Sequence, residues 1–116
     1  VFRYAIITPE GVQEHTVQAQ PTYDDLVAIV GGWLEGVPIE GVTAYVNEEG
    51  KLKGLSRNVV ASQIAHADGA IYPDDWIAGN MIVMGPLDDD GDSTSLHKDW
   101  VSNALSTIGI NDTEEV

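Results

Sequence analysis

The sequence predicts an α+β fold, a mixed and mainly antiparallel sheet with two to three helices packed against it. Three observations predict it. Short β-branched and aromatic runs are separated by turns rich in Gly, Pro, Asn and Asp. Apolar residues recur at three- and four-residue spacing in the intervening segments. The resulting order, strand–strand–helix–strand–strand–helix–strand–helix, favours helices packed on a largely antiparallel sheet.

Phe2 to Thr8 reads as the first strand. Pro9-Glu10-Gly11 turns the chain, and Val12 to Gln18 returns antiparallel. Thr22 stands as a helix N-cap, with Asp25 at the capping-box position. Leu26, Ile29, Val30, Trp33 and Leu34 then form one apolar helical stripe, weakened by Gly31-Gly32 and ended by Gly36 and Pro38. Val42 to Val46 reads as a strand, Asn47-Glu48-Glu49-Gly50 as a turn, and Lys51 to Lys53 as the returning strand of a second hairpin. Asn58 caps a helix to about Ala67, stopped by Asp68-Gly69. Asn80 to Met84, between Gly79 and Gly85-Pro86, suits a central strand buried on both faces. Leu96, Trp100, Ala104 and Ile108 mark a last helix from about Ser95 to Thr107, and residues 111–116 read as a frayed acidic tail.

The 116 residues suffice for one core and show no linker or repeat, so 1–116 is read as a single domain. The first residue is Val1, from which a trimmed or upstream true N-terminus is expected. Cysteine is absent, which excludes disulfides, thiolate metal sites and a cysteine nucleophile, and fits a cytoplasmic protein. No apolar run approaches the roughly 20 residues of a membrane helix.

Charge is the strongest compositional signal: 19 acidic residues stand against 5 Lys and Arg, a net −14. Such a surface repels phosphates and anionic lipid headgroups, so direct binding of nucleic acid or membrane is not expected. Solubility is the simplest reading of the acidity, and docking on a basic partner surface the more specific one.

Asp88, Asp90 and Asp92 fall at the first, third and fifth ligand positions of a calcium loop, with Asp99 at the twelfth. However, Ser93 stands where the loop needs glycine, Asp99 replaces the usual Glu, and a strand precedes the segment. A solvated acidic turn outweighs a metal site here. His15, His66 and His97 have no metal-ligand spacing, although His97 could pair with Asp99. Lys51, Lys53 and Arg57 make a basic island that could bind an anion or a partner, or neutralise Glu48 and Glu49. Trp33 and Trp100 fall on apolar stripes and are expected in the core; Trp76, after Asp74-Asp75, is expected exposed and joins the binding candidates. No complete catalytic or phosphate-binding signature is present and no cofactor is expected.

Gly31-Gly32-Trp33-Leu34-Glu35, then Tyr45 to Leu55, Asn58, and Gly79 to Gly85 together resemble the domain of unknown function 3846 family, seen in actinobacteria and their phages. The matching stretches span Thr22 to Leu96. The resemblance implies a phage or actinobacterial origin and a cytoplasmic setting, and supplies no activity. The first expectation is therefore a non-enzymatic binding protein, a phage accessory factor docking on a host protein with a basic surface. The alternatives are a small-molecule or nucleotide binder at the Lys51–Arg57 island and a metal-assisted hydrolase around Asp88–Asp99. Self-association through an exposed Trp76 or a bare sheet edge is also open.

Overall fold

The computed structural model describes residues 1–110, so the expected acidic tail at 111–116 lies outside the described residues. The elements are β1 (Phe2–Thr8), β2 (Gly11–Val17), α1 (Tyr23–Val30), β3 (Leu34–Val37), β4 (Thr43–Asn47), α2 (Val59–Asp68), β5 (Met81–Met84) and α3 (Trp100–Thr107). The five strands form one sheet in the order β2-β1-β5-β4-β3, every neighbouring pair antiparallel. The α+β expectation holds.

Two hairpins, β1–β2 and β3–β4, are joined by β5, which inserts between them. Its four residues are almost entirely apolar on both faces, as a central strand requires. Met81 and Val83 enter a core with α2 and α3, while Ile82 and Met84 enter a second core with α1. The sheet is thus sandwiched between α1 on one face and the α2–α3 pair on the other. Burying side chains of this size stabilises by about 1.5–3 kcal/mol each.

Local signals place the helix starts. Thr22 Oγ1 accepts from the Asp25 N–H at 3.1 Å and Asp25 Oδ2 accepts from the Thr22 N–H at 2.9 Å, a complete capping box. Thr22→Ala is expected to cost about 1 kcal/mol in a urea melt. Asn58 caps α2 through its Oδ1, which accepts from the Ala61 N–H at 3.0 Å, and Gly69 ends that helix in the left-handed region.

Three expectations are corrected. The first helix does not run through Trp33 and Leu34: it stops at Gly31, whose φ of 83° lets its N–H return to the Val27 carbonyl at 2.8 Å. Leu34 instead opens β3 opposite Asn47. Trp33 is 67% exposed and not a core residue, because the helical face that would have buried it does not exist. Lys51 to Lys53 do not form a returning strand. β4 pairs with β3 upstream, and residues 48–54 coil through successive turns, among them Lys53 N–H to the Glu49 carbonyl at 2.9 Å. Gly50 lies so close to the 76–79 segment that a Cβ there would sit 2.7 Å from the Ala78 carbonyl oxygen, which draws this loop inward. Finally, α3 begins at Trp100, not Ser95. The Ser95 hydroxyl accepts the Arg3 N–H at 2.8 Å and the Leu96 N–H donates to the Arg3 carbonyl, so this stretch is held extended against β1.

Candidate functional site

An open cleft of about 1160 Å³ lies between β3, the 47–52 turns and the 69–78 segment that connects α2 to β5. It lies on the α2–α3 side of the sheet, with Val37 and Val46 in its floor. Its position follows from the fold: the chain leaving α2 at Gly69 borders the cleft opposite β3 before returning to the centre of the sheet as β5.

On one wall, Asp75 organises the side chains. Its Oδ1 accepts from Lys51 Nζ and from the Trp76 N–H at 2.8 Å. Its carbonyl oxygen is 2.8 Å from His66 Nε2. The Lys51 ammonium beside it, followed by the Trp76 N–H, holds the Asp75 carboxyl below the usual carboxylate range. A depressed folded pKa contributes stability that is present above the unfolded value and is lost as pH falls through the folded one. Because the carboxylate is 36% exposed, that contribution is small. The Trp76 indole resonance is therefore expected to shift only below the ordinary Asp titration range, and Lys51→Met is expected to move that midpoint upward. A midpoint unchanged by the substitution would remove Lys51 as the cause.

Trp76 is half-buried, not freely exposed, and two cations lie over its ring. Lys51 Nζ is 4.4 Å and Arg57 Cζ 4.5 Å from the ring centroid. At such partly exposed sites each contact contributes about 0.5–1 kcal/mol. Arg57 is placed there by a single β-bridge to Ala78, two residues from Trp76. Three of the four binding candidates, Lys51, Arg57 and Trp76, are thus brought together. Lys53 is not: its ammonium is 3.9 Å from Glu49 and points towards Gly32, away from the indole.

The acidic candidates behave differently. Asp88 to Asp92 form the tip of a small hairpin closed by a Leu87–Ser93 bridge. Asp88 Oδ1 accepts from the N–H groups of Asp90 and Asp92 at 2.9 and 3.0 Å, so it serves the turn. Asp99 immediately precedes α3 and makes no side-chain cap bond; its own N–H donates to His97 Nδ1 at 3.1 Å. Among the described residues no three His, Asp or Glu side chains are grouped to hold a metal ion. His15 stacks on Tyr4 across β1–β2, with ring centroids 4.8 Å apart. Trp100 is half-buried at the margin of the α2–α3 core.

Sequence reasoning missed Asp75, His66, Tyr72 and the β3 edge as parts of one site. Asp75 had a faint signal in preceding Trp76, whereas His66 and β3 had none, since their role depends on strand pairing distant in sequence. The cleft wall contains no Ser, Thr or Cys among the described residues, and it carries Glu35, Glu48, Glu49 and Asp75 against one lysine, Lys51. Leu52 and Tyr72 stand 85% and 79% exposed at its rim. Chemically the arrangement offers apolar contact within an acidic frame.

Residues quoted for the family resemblance serve the fold. Asn47 Nδ2 donates to the Val30 carbonyl at 3.2 Å and its Oδ1 accepts from the Glu49 N–H, tying α1 to the end of β4. A Cβ at Gly32 would lie 2.9 Å from Asn47 Nδ2, so that contact needs the glycine. Among the described residues no helix is long and apolar enough to cross a membrane. Neither the curated proteins nor the solved structures contain a match to this chain. A family model described as Domain of unknown function (DUF3846) matches residues 2–108, nearly the whole chain, and the protein belongs to that family.

Proposed function

We propose that the chain is a small acidic, non-enzymatic binding protein that docks a basic surface of a protein partner into the cleft beside Trp76. One observation carries this reading: a cleft of about 1160 Å³ in so small a domain, walled by four carboxylates against one lysine and rimmed by exposed Leu52 and Tyr72. Exposed apolar side chains beside a cleft mark binding surfaces. The net charge of −14 adds long-range attraction for a cationic partner. In the phage setting that the family resemblance implies, the partner is a host protein of the cytoplasm.

A nucleotide or other small anion at Lys51 and Arg57 is the second reading, favoured by their convergence on Trp76. It is opposed by the carboxylates in the same wall and by the Lys51–Asp75 pair, which already engages one of the two cations. The Asp88–Asp99 hydrolase has no converging carboxylates in its favour.

Affinity capture from an actinobacterial lysate, with salt raised in steps, tests the docking reading. A bound protein is expected to release as salt rises, to be lost by Glu48→Lys in the cleft, and to survive Asp90→Lys in the distant hairpin. Retention by Glu48→Lys at high salt would count against it. A thermal shift with nucleotide, abolished by Arg57→Ala, would favour the second reading.

A further inference from the structure

The cleft has one wall of unusual character, the edge strand β3. The Glu48 N–H donates to the Trp33 carbonyl at 2.9 Å, which makes 33–48 a hydrogen-bonded pair of the β3–β4 ladder. Antiparallel pairing alternates, so 35–46 and 37–44 are also hydrogen-bonded pairs. The N–H and C=O groups of Leu34 and Gly36 therefore point away from the sheet. No side chain or loop among the described residues bonds them. Natural edges are usually blunted by lysine, proline, bulges or a covering segment. β3 is short, four residues, and carries one charge, Glu35, but it has no lysine, its nearby proline follows its end at Pro38, and Gly36 adds no side chain at its centre. The opposite edge, β2, contributes nothing to this cleft.

We propose that β3 is a strand-addition site: an extended segment of a protein partner, bearing Lys or Arg and an apolar anchor, pairs with Leu34 and Gly36 as a sixth strand. This rests on the docking reading above and names the occupant of the same cleft. Main-chain bonds to a sheet edge supply affinity, and pockets for alternate side chains supply specificity. On the cleft side of an added strand those side chains meet Leu52, Tyr72 and Trp76, framed by Glu35, Glu48 and Glu49. The excess of carboxylates selects cationic residues and rejects phosphates. It also disfavours a second copy of this chain, because pairing β3 with β3 would face Glu35 and its neighbours with their own like charges and join two bodies each carrying −14.

The test pans a displayed library of short random peptides against the full chain and then follows backbone amide exchange by NMR. Enrichment of peptides alternating Lys or Arg with apolar residues is expected, with protection of the Leu34 and Gly36 amides in the complex. Binding should weaken about tenfold or more in the Glu35→Lys/Glu48→Lys double variant, and in Gly36→Pro, a change that an edge strand tolerates. N-methylating the peptide at its edge-facing amides leaves the protein untouched and should abolish binding even if Gly36→Pro misfolds. Enrichment of acidic peptides, no enrichment, undiminished binding of the N-methylated peptide, or a dimer with the same amides protected without peptide would each overturn the proposal. Binding that perturbs Leu52 and Tyr72 but leaves Leu34 and Gly36 exchanging freely overturns strand addition and leaves cleft docking standing. Binding mapped to the Asp88–Asp92 hairpin overturns both.

Discussion

Asn58→Ala is expected to destabilise the fold by about 3–5 kcal/mol, the largest single-residue effect outside the apolar core. Asn58 is fully buried. Its Nδ2 donates to the Ile7 carbonyl at 2.7 Å and to the Gly79 carbonyl at 2.8 Å, while Oδ1 caps α2 at the Ala61 N–H. One side chain thereby ties the end of β1, the entry to β5 and the start of α2. Alanine removes all three bonds and strands buried carbonyls that water cannot reach. The cap alone accounts for about 1 kcal/mol, and the unsatisfied carbonyls supply the rest. Asn58→Asp sharpens the test. It keeps the capping acceptor but sets a carboxylate against two carbonyl oxygens, so it is expected to rescue little. Urea midpoints should fall at unchanged slope. A loss of only 1 kcal/mol for the alanine variant would mean that Asn58 acts as a helix cap alone.

Gly85→Ala is expected to cost about 3 kcal/mol for a different reason. A Cβ there would run into the Ser95 carbonyl oxygen and lie 2.6 Å from Thr94 Oγ1 and 2.8 Å from the Thr94 carbonyl oxygen. Two of the three obstacles are backbone, and they are held by the Gly85 N–H to Thr94 carbonyl bond at 2.7 Å and by the Leu96–Arg3 contact. Relief requires the 94–96 segment to move off the sheet, which puts the cost at the upper end for overpacking. Gly11→Ala is the control. Nothing lies within 4 Å of its Cβ position and its backbone is not left-handed. A melt showing equal losses for the two would remove the steric account.

The cleft separates two kinds of information in this chain. The basic island was legible because Lys51, Lys53 and Arg57 stand within seven positions of one another. Trp76 was legible as a candidate because it follows a turn and not an apolar stripe. Their convergence was not legible: it depends on the Arg57–Ala78 bridge and on Gly50 fitting against the Ala78 carbonyl, contacts between segments more than twenty residues apart. The same contacts leave Lys53 on the other side of the loop, although it is two residues from Lys51.

Short-range chemistry settled the first hairpin, the caps at Thr22 and Asn58, the stop at Gly69 and the central apolar strand Met81–Met84, because a turn, a cap or a doubly buried run is encoded within a few residues. It also settled the acidity, which is a sum over composition. Tertiary structure decided that Leu34–Val37 is a strand. Helical periodicity continues past Val30, but the left-handed Gly31 and pairing with β4 prevail over it. Everything that makes the cleft, including the β3 edge, Asp75 paired with Lys51, and carboxylates gathered from three segments, follows from contacts between separate segments: β3 on β4, the Arg57–Ala78 bridge and Gly50 against Ala78. Side-chain spacing in one segment carries no record of which other segment will lie beside it.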